Sequence, residues 1–367
     1  MAGMKRIAVV GAAGFIGNRI VEILHLAGRH EVVPVVRQTS ALALIKQFDL
    51  EPRIADAWDS VALEAAFANC DAVVAAIAGD PSTIIGTVAP LYRAADRAGV
   101  RRLVYLSSAS VHGQAPALGT DENSPLSRRQ PFPYNRAKAV AERRLLALRR
   151  SGRTELVILR PAIVYGPRSQ WTGGLADQIL AGEAFLADAG RGICNAIYVD
   201  NLVHAILLSI EAEGVDREIF LLGDAETVTW RALVSPIAAA LGRDVDAMPQ
   251  PSSTEILRTE TIGLRRLMFR FARYIFGKLP RRAAHALRAV RGASEEHRQG
   301  ADPFLGADRR DFSRELALLH SCSVRLPLAK AERMLGYRPP ISFDEGCRRS
   351  VAWLKSAGYP IQPGTFP

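Results

Sequence analysis

The 367-residue chain is short of several things, and each shortage closes off a class of protein. It has only four cysteines, Cys70, Cys194, Cys322 and Cys347, widely separated and without paired spacing. That excludes a disulfide scaffold and a thiolate metal site, and it predicts reduced thiols in a cytoplasmic protein that holds no metal. No apolar run approaches the ~18 residues that span a bilayer. Met1-Ala2-Gly3-Met4-Lys5-Arg6 leads straight into a strand-like run, which predicts no signal peptide. With 49% hydrophobic and 23% charged residues, the composition leaves no room for a disordered, collagenous or coiled-coil chain. Acidic residues are scarce in one place. Between residues 258 and 298, eleven Arg/Lys stand against three Glu, so most of the net charge of +10 is concentrated there.

What is present is an alternation of patterns. Residues 7–10, 31–36, 71–76, 102–106 and 156–159 are apolar, β-rich runs, while 17–27 and 87–98 carry helical spacing. Strands alternating with helices predict βαβ units and a parallel sheet covered on both faces. After Gly166 the texture loosens, although 196–210 (strand, then helix) and 218–222 (strand) return to the first pattern. The stretch 229–241 and the chain from 258 onward read as mostly helical.

The first strand runs into Gly11-Ala12-Ala13-Gly14-Phe15-Ile16-Gly17 at the opening of a helix. Glycines let the backbone turn tightly and approach a pyrophosphate, which the free N–H groups and positive dipole end of the helix then attract. The backbone from Gly11 to Gly17, Phe15 and Ile16 included, is therefore the expected phosphate cradle of a dinucleotide. At the end of the second strand, Val36 stands where an acidic residue would bond a ribose 2′-hydroxyl, and Arg37 follows. An arginine suits a 2′-phosphate, so NADP is expected over NAD. Asp56 and Ala57, after the next short strand, are placed to meet the adenine edge.

Beyond the fourth strand stands Leu106-Ser107-Ser108-Ala109-Ser110-Val111-His112-Gly113, and then Tyr134-Asn135-Arg136-Ala137-Lys138. Tyr134 and Lys138, four apart, share one helix face. A lysine ammonium and a cationic nicotinamide ring favour tyrosinate, which predicts a Tyr134 pKa lowered toward the working pH. A serine hydroxyl then holds the substrate oxygen while tyrosine moves its proton.

In these residues the chain resembles the extended short-chain dehydrogenases/reductases of the NAD(P)-dependent epimerase/dehydratase superfamily. The run from Leu159-Arg160-Pro161 to Tyr165-Gly166-Pro167, Tyr198-Val199-Asp200-Asn201, and Lys330-Ala331 through Leu335-Gly336-Tyr337 carry the likeness further. The resemblance implies an α/β, Rossmann-like doubly wound parallel sheet with a smaller, mostly helical C-terminal substrate domain. The expected partition is 1–165 with 196–224 for the cofactor, and 166–195 with 225–367 for the substrate. It also implies Ser108 as catalytic serine, Tyr134 as general acid/base, Lys138 as ribose-holding partner, and Pro161 beside the nicotinamide carboxamide.

Three departures from the nucleotide-sugar members bear on the substrate. Ile163 and Cys194 replace an Asn and an Arg that serve diphosphates there, and Ala109-Ser110 replaces the Asp-Glu pair of dehydratases. The expected activity is hydride transfer at a secondary alcohol or ketone of a sugar, free or lipid-linked, with epimerisation as one outcome. The alternatives are a hydrophobic alcohol, in the manner of 3β-hydroxysteroid dehydrogenases, and a non-catalytic cofactor-binding sensor or assembly subunit. The stretch 261–278 has leucines and aromatics on one helical face and Arg266, Arg270 and Arg273 on another. That pattern predicts either a lid or core helix or a peripheral contact with the inner face of a membrane. A small-molecule substrate and a second copy of the chain are the other expected partners; no nucleic-acid motif is present.

Overall fold

The computed structural model describes residues 3–126, 130–259 and 309–363. The basic stretch 260–298, with its amphipathic pattern, lies outside them.

Seven strands form one parallel sheet: β1 (Arg6–Val10), β2 (Glu31–Val36), β3 (Arg53–Ile54), β4 (Ala72–Ala75), β5 (Arg102–Leu106), β6 (Glu155–Pro161) and, last in sequence, Ile219–Leu222. The spatial order is Ile219–Leu222, β6, β5, β4, β1, β2, β3, and all neighbours run parallel. The strand order therefore reverses at β1 and β4, and the crevice beyond their C-terminal ends is where such sheets bind ligands.

The near-continuous apolar runs make sense because both faces are covered. Successive side chains alternate between faces: Ile7 and Val9 enter one buried cluster, Ala8 and Val10 the other. The first cluster is closed by α1 (Phe15–Ala27) and the helix Val199–Glu211; the second by α2 (Ser60–Ala66), α4 (Val88–Arg97) and α5 (Pro133–Arg149). The short α3 (Pro81–Gly86) precedes α4 and carries Asp80 as its N-cap. Arg102, 1% exposed, pairs with Glu155 at 2.6 Å and donates to the carbonyls of Ser209, Ile210 and Ala212. A cation on these last carbonyls pins the helix C-terminus to the sheet.

The expected strand at 196–198 forms, but not in the main sheet. Ala196–Tyr198 pairs in parallel with Ile163–Tyr165, and Ile193–Cys194 pairs with Val228–Thr229. These ribbons begin a second lobe, whose buried cluster includes Tyr165, Tyr198, Trp230, Leu233, Phe343 and Leu354. The helix Trp230–Ala240 agrees closely with the expected 229–241. The helix Arg309–His320 returns the chain to this lobe, and Ala329–Leu335 and Phe343–Ser356 follow. Among the described residues no helix is long and apolar enough to cross a membrane.

Candidate active site

The glycine loop sits at the C-terminal end of β1. Gly11 has φ +83°, and a Cβ there would stand 2.6 Å from the carbonyl oxygen of Ala76. At Gly17 a Cβ would fall 2.1 Å from the Gly11 oxygen. Only glycine allows both approaches. Gly14 is exposed, and a Cβ there would meet only the Gly11 oxygen within 4 Å, at 3.3 Å, so the outer side of the turn is open. Gly14 is also the N-cap of α1, which has no side-chain cap and no acid in its first turn. Open backbone at an uncapped helix start fits a pyrophosphate. The side chains of Phe15 and Ile16 pack against the second lobe and the first buried cluster respectively, so only their backbone faces the turn.

Arg37 is exposed at the end of β2, and no hydrogen bond or ion pair holds it among the described residues. Asp56 is also exposed and accepts from the N–H of Trp58 at 3.0 Å, shaping its own turn beside Ala57. Pro161 ends β6 opposite Leu222. These positions ring the same edge of the sheet as the glycine loop.

Beyond β5, Ser108 caps the short turn Ala109–His112, and its hydroxyl lies 2.9 Å from that of Ser110. Tyr134 and Lys138 lie on the first turns of α5, whose N-terminus is set by Pro133. The Tyr134 hydroxyl hydrogen-bonds Ser108. The Lys138 ammonium donates to the carbonyls of Leu106 at 2.7 Å and Ile77 at 3.4 Å, and stands 5.8 Å from the centre of the Tyr134 ring.

One expectation is corrected here. Tyr134 is pushed up to about 12 rather than down, because burial outweighs its bond to Ser108, and the Glu315 carboxylate adds to the rise. Lys138 is lowered to about 8, again by burial, against the pull of Glu142. Both charged forms lose their hydration, and the ammonium is directed at two backbone carbonyls rather than at the phenol.

Behind this pair lies a buried polar network that the motif reading did not assign. Arg160 and Glu142, 3% and 2% exposed, pair at 2.7 Å. Ser107 donates to Glu142 at 2.5 Å, and Arg160 contacts the His112 ring at 2.9 Å. Burial and the Arg160 charge lower His112 to about 4. The network bolts β5, β6 and α5 together under Ser108. Its sequence signal was the spacing 134, 138, 142, which places three side chains on one helix face. Glu315 had no such signal: it arrives from the second lobe, and its carboxylate accepts from Gln114.

Two of the three departures from the nucleotide-sugar members fall in apolar surroundings. Ile163 packs into the second lobe's core and Cys194 is 2% exposed, its thiol raised well above its usual value by burial.

A doubly wound parallel sheet with a glycine-lined turn at its switch point defines a dinucleotide-binding enzyme class. The sequence profile of the NAD-dependent epimerase/dehydratase family matches residues 7–223, and the chain belongs to that family. It is 26% identical to a UDP-glucose 4-epimerase of Vibrio cholerae over 67% of this chain and 79% of that protein. It is 28% identical to a 2-alkyl-3-oxoalkanoate reductase of Stenotrophomonas maltophilia over 95% of this chain and 98% of the relative. The fold matches the crystal structure of a UDP-glucose 4-epimerase from Thermotoga maritima, with TM-score 0.67 and 21% identity, over 96% of this chain and 99% of that one.

Proposed function

We propose that the chain is an NAD(P)-dependent oxidoreductase acting at a secondary alcohol or ketone, with Ser108, Tyr134 and Lys138 as catalytic residues. The observation that carries this reading is the two-residue stretch Ala76-Ile77, just past the end of β4. Gly11 packs against its Ala76 side, and Lys138 bonds the carbonyl of Ile77. The phosphate cradle and the proton-transfer group thus share one short stretch of backbone.

The backbone of Gly11, Gly14, Phe15, Ile16 and Gly17 would hold the pyrophosphate, Arg37 a 2′-phosphate, Asp56 and Ala57 the adenine edge, Lys138 and Tyr134 the ribose, and Pro161 the carboxamide. Bound there, the cofactor supplies the acceptor or donor of a hydride. Ser108 Oγ holds the substrate oxygen. Tyr134 Oη gives that oxygen a proton in reduction and takes it in oxidation, while the hydride joins or leaves the same carbon. With its pKa near 12, Tyr134 is protonated at neutral pH, the form that donates.

Tyr134→Phe tests the assignment. Turnover should fall about 10²–10⁴-fold while cofactor binding persists, since the ring still packs; near-normal turnover refutes it. The unpaired Arg37 supports a preference for NADPH over NADH. Arg37→Ala should narrow that gap by about 1.5–3 kcal/mol in a cofactor titration; equal affinities for the two cofactors in the wild type refute it.

The substrate reading given first is a sugar, free or lipid-linked, which the epimerase relative supports. A hydrophobic alcohol or ketone is the second, supported by the reductase relative and by one feature of the second lobe. A shallow, solvent-open hollow there is lined by Trp171, Leu175, Phe185, Trp230, Val234 and Leu316, with Gln170, Gln178 and His320 among them. Turnover separates the two, because an epimerase regenerates its cofactor and a reductase consumes NADPH stoichiometrically. The charge and apolar spacing of 258–298 support a peripheral membrane contact. Co-sedimentation with anionic but not neutral vesicles, lost in salt, is the expected result.

A further inference from the structure

Ser110, the second of the two residues that replace the Asp-Glu pair of dehydratases, stands at the reacting groups without a part in the chemistry above. It lies in the turn Ala109–His112, which Ser108 opens as N-cap. The turn is clamped on both sides of it. Ala109 and Val111 are buried, the Val111 carbonyl accepts from Gln130 at 2.8 Å, and His112 meets Arg160 at 2.9 Å. The carbonyl of Ser110 itself accepts from the N–H of Gly113 at 2.9 Å. With its backbone fixed, Ser110 brings two groups to one atom: its N–H lies 3.2 Å from Ser108 Oγ, and its hydroxyl lies 2.9 Å from the same oxygen. Tyr134 bonds that Ser108 hydroxyl as well.

A serine hydroxyl has one proton and two acceptor lone pairs. On Ser108 Oγ, the Ser110 N–H fills one lone pair as part of the cap. A ketone oxygen carries no proton, so in reduction both Ser108 and Tyr134 must donate to it. In oxidation Ser108 donates to the alcohol oxygen while Tyr134 takes the alcohol's proton. Either way the Ser108 proton is committed to the substrate. The contact at 2.9 Å then has a single sense, in which the Ser110 hydroxyl donates and the Ser108 oxygen accepts. Both lone pairs of Ser108 Oγ are thereby filled, and Tyr134 has no site on that oxygen to donate to. Before substrate arrives, Ser108 donates to Tyr134 Oη, which is the sense in which this bond offsets part of the rise in the tyrosine's pKa. Hydrogen bonds that run in one sense along a chain also strengthen one another.

We propose that Ser110 is a positioning residue for the proton transfer: its hydroxyl, donating to Ser108 Oγ, turns the Ser108 proton toward the substrate oxygen and keeps Tyr134 from giving its own proton to the serine. This deepens the oxidoreductase reading above and rests on it.

The test follows NADPH-dependent reduction of a ketone probe, a 3-oxo ester, by the full chain and by Ser110→Ala and Ser110→Thr. Ser110→Ala opens a lone pair of Ser108 to Tyr134, and should lower kcat about tenfold while KM stays within about twofold. Ser110→Thr keeps the hydroxyl and should restore kcat to near the wild-type value. An unchanged kcat in Ser110→Ala, a loss confined to KM, or an equal loss in both variants overturns the proposal. Neutron diffraction from deuterium-exchanged crystals of the full chain with NADP reads the same contact without turnover. The deuteron between the two serines should sit on Ser110 Oγ; one on Ser108 Oγ, pointing at Ser110, overturns the proposal. If instead Tyr134→Phe keeps full turnover, the proton-transfer reading fails, while the neutron map still reports on Ser110.

Discussion

Two interiors of this molecule are built on opposite principles. Under Ser108 the interior is polar and paired, with buried Arg160, Glu142 and Ser107 and the partly buried His112 bonded in one network. Around Trp230 it is aromatic: Trp171, Trp230 and His320 stack at 5.4 and 4.6 Å, and Tyr165 lies 5.4 Å from Tyr198. A buried ion pair gains little over a well-packed apolar substitute, but it is costly to break. The polar interior therefore fixes the position of Ser108, Tyr134 and Lys138, whereas the aromatic one leaves a shallow, solvent-open hollow.

The sharpest way to break this contrast is at Glu142. Glu142→Ala strands the Arg160 guanidinium in a buried place and should cost about 3–5 kcal/mol in denaturant unfolding. Its surviving folded fraction should also lose kcat, because Ser107 loses its acceptor and Lys138 the carboxylate charge that favours its ammonium. A loss of stability with unchanged kcat would make the network structural only.

A smaller effect separates the interiors by pH. His112 and His320 are both held near 4 by burial, from a usual 6.5. Between pH 6.5 and 4 the unfolded chain takes protons that the folded histidines refuse, so stability falls as the pH drops through that window. Asp224, raised to about 6 by burial, is protonated first in the folded state and offsets part of the loss. His320→Gln removes the aromatic lobe's share. Urea unfolding at pH 7 and pH 4.5 should show the acid-induced drop reduced by about 2 kcal/mol; an unchanged drop assigns the acid sensitivity to His112 and the polar interior.

These contrasts were unevenly legible in the sequence. The strands of the sheet were readable because burial on both faces forces uninterrupted runs such as Ile7-Ala8-Val9-Val10. The ribbon of Ile163–Tyr165 with Ala196–Tyr198 was not, because three-residue strands that pair outside the main sheet leave no such run. Tyr134 and Lys138 were legible from their spacing together with the strand-end serines and the glycine loop, but the sign of the tyrosine shift was not, since desolvation depends on what the fold closes over it. Glu142 was visible as a position and not as a partner. Glu315 was visible as neither: 181 residues separate it from Tyr134, and only tertiary packing brings the two into one site.

The stretch Ala76-Ile77 has a consequence for how this protein can change. Its first carbonyl lies against a glycine that tolerates no side chain, and its second accepts from the lysine ammonium. A shift of that strand end displaces the phosphate turn and the proton donor together. Any drift that loosens the grip on the dinucleotide thus also spoils the alignment of the acid, so variation in what the molecule acts on is channelled into the second lobe, where a side chain can be exchanged without moving the machinery.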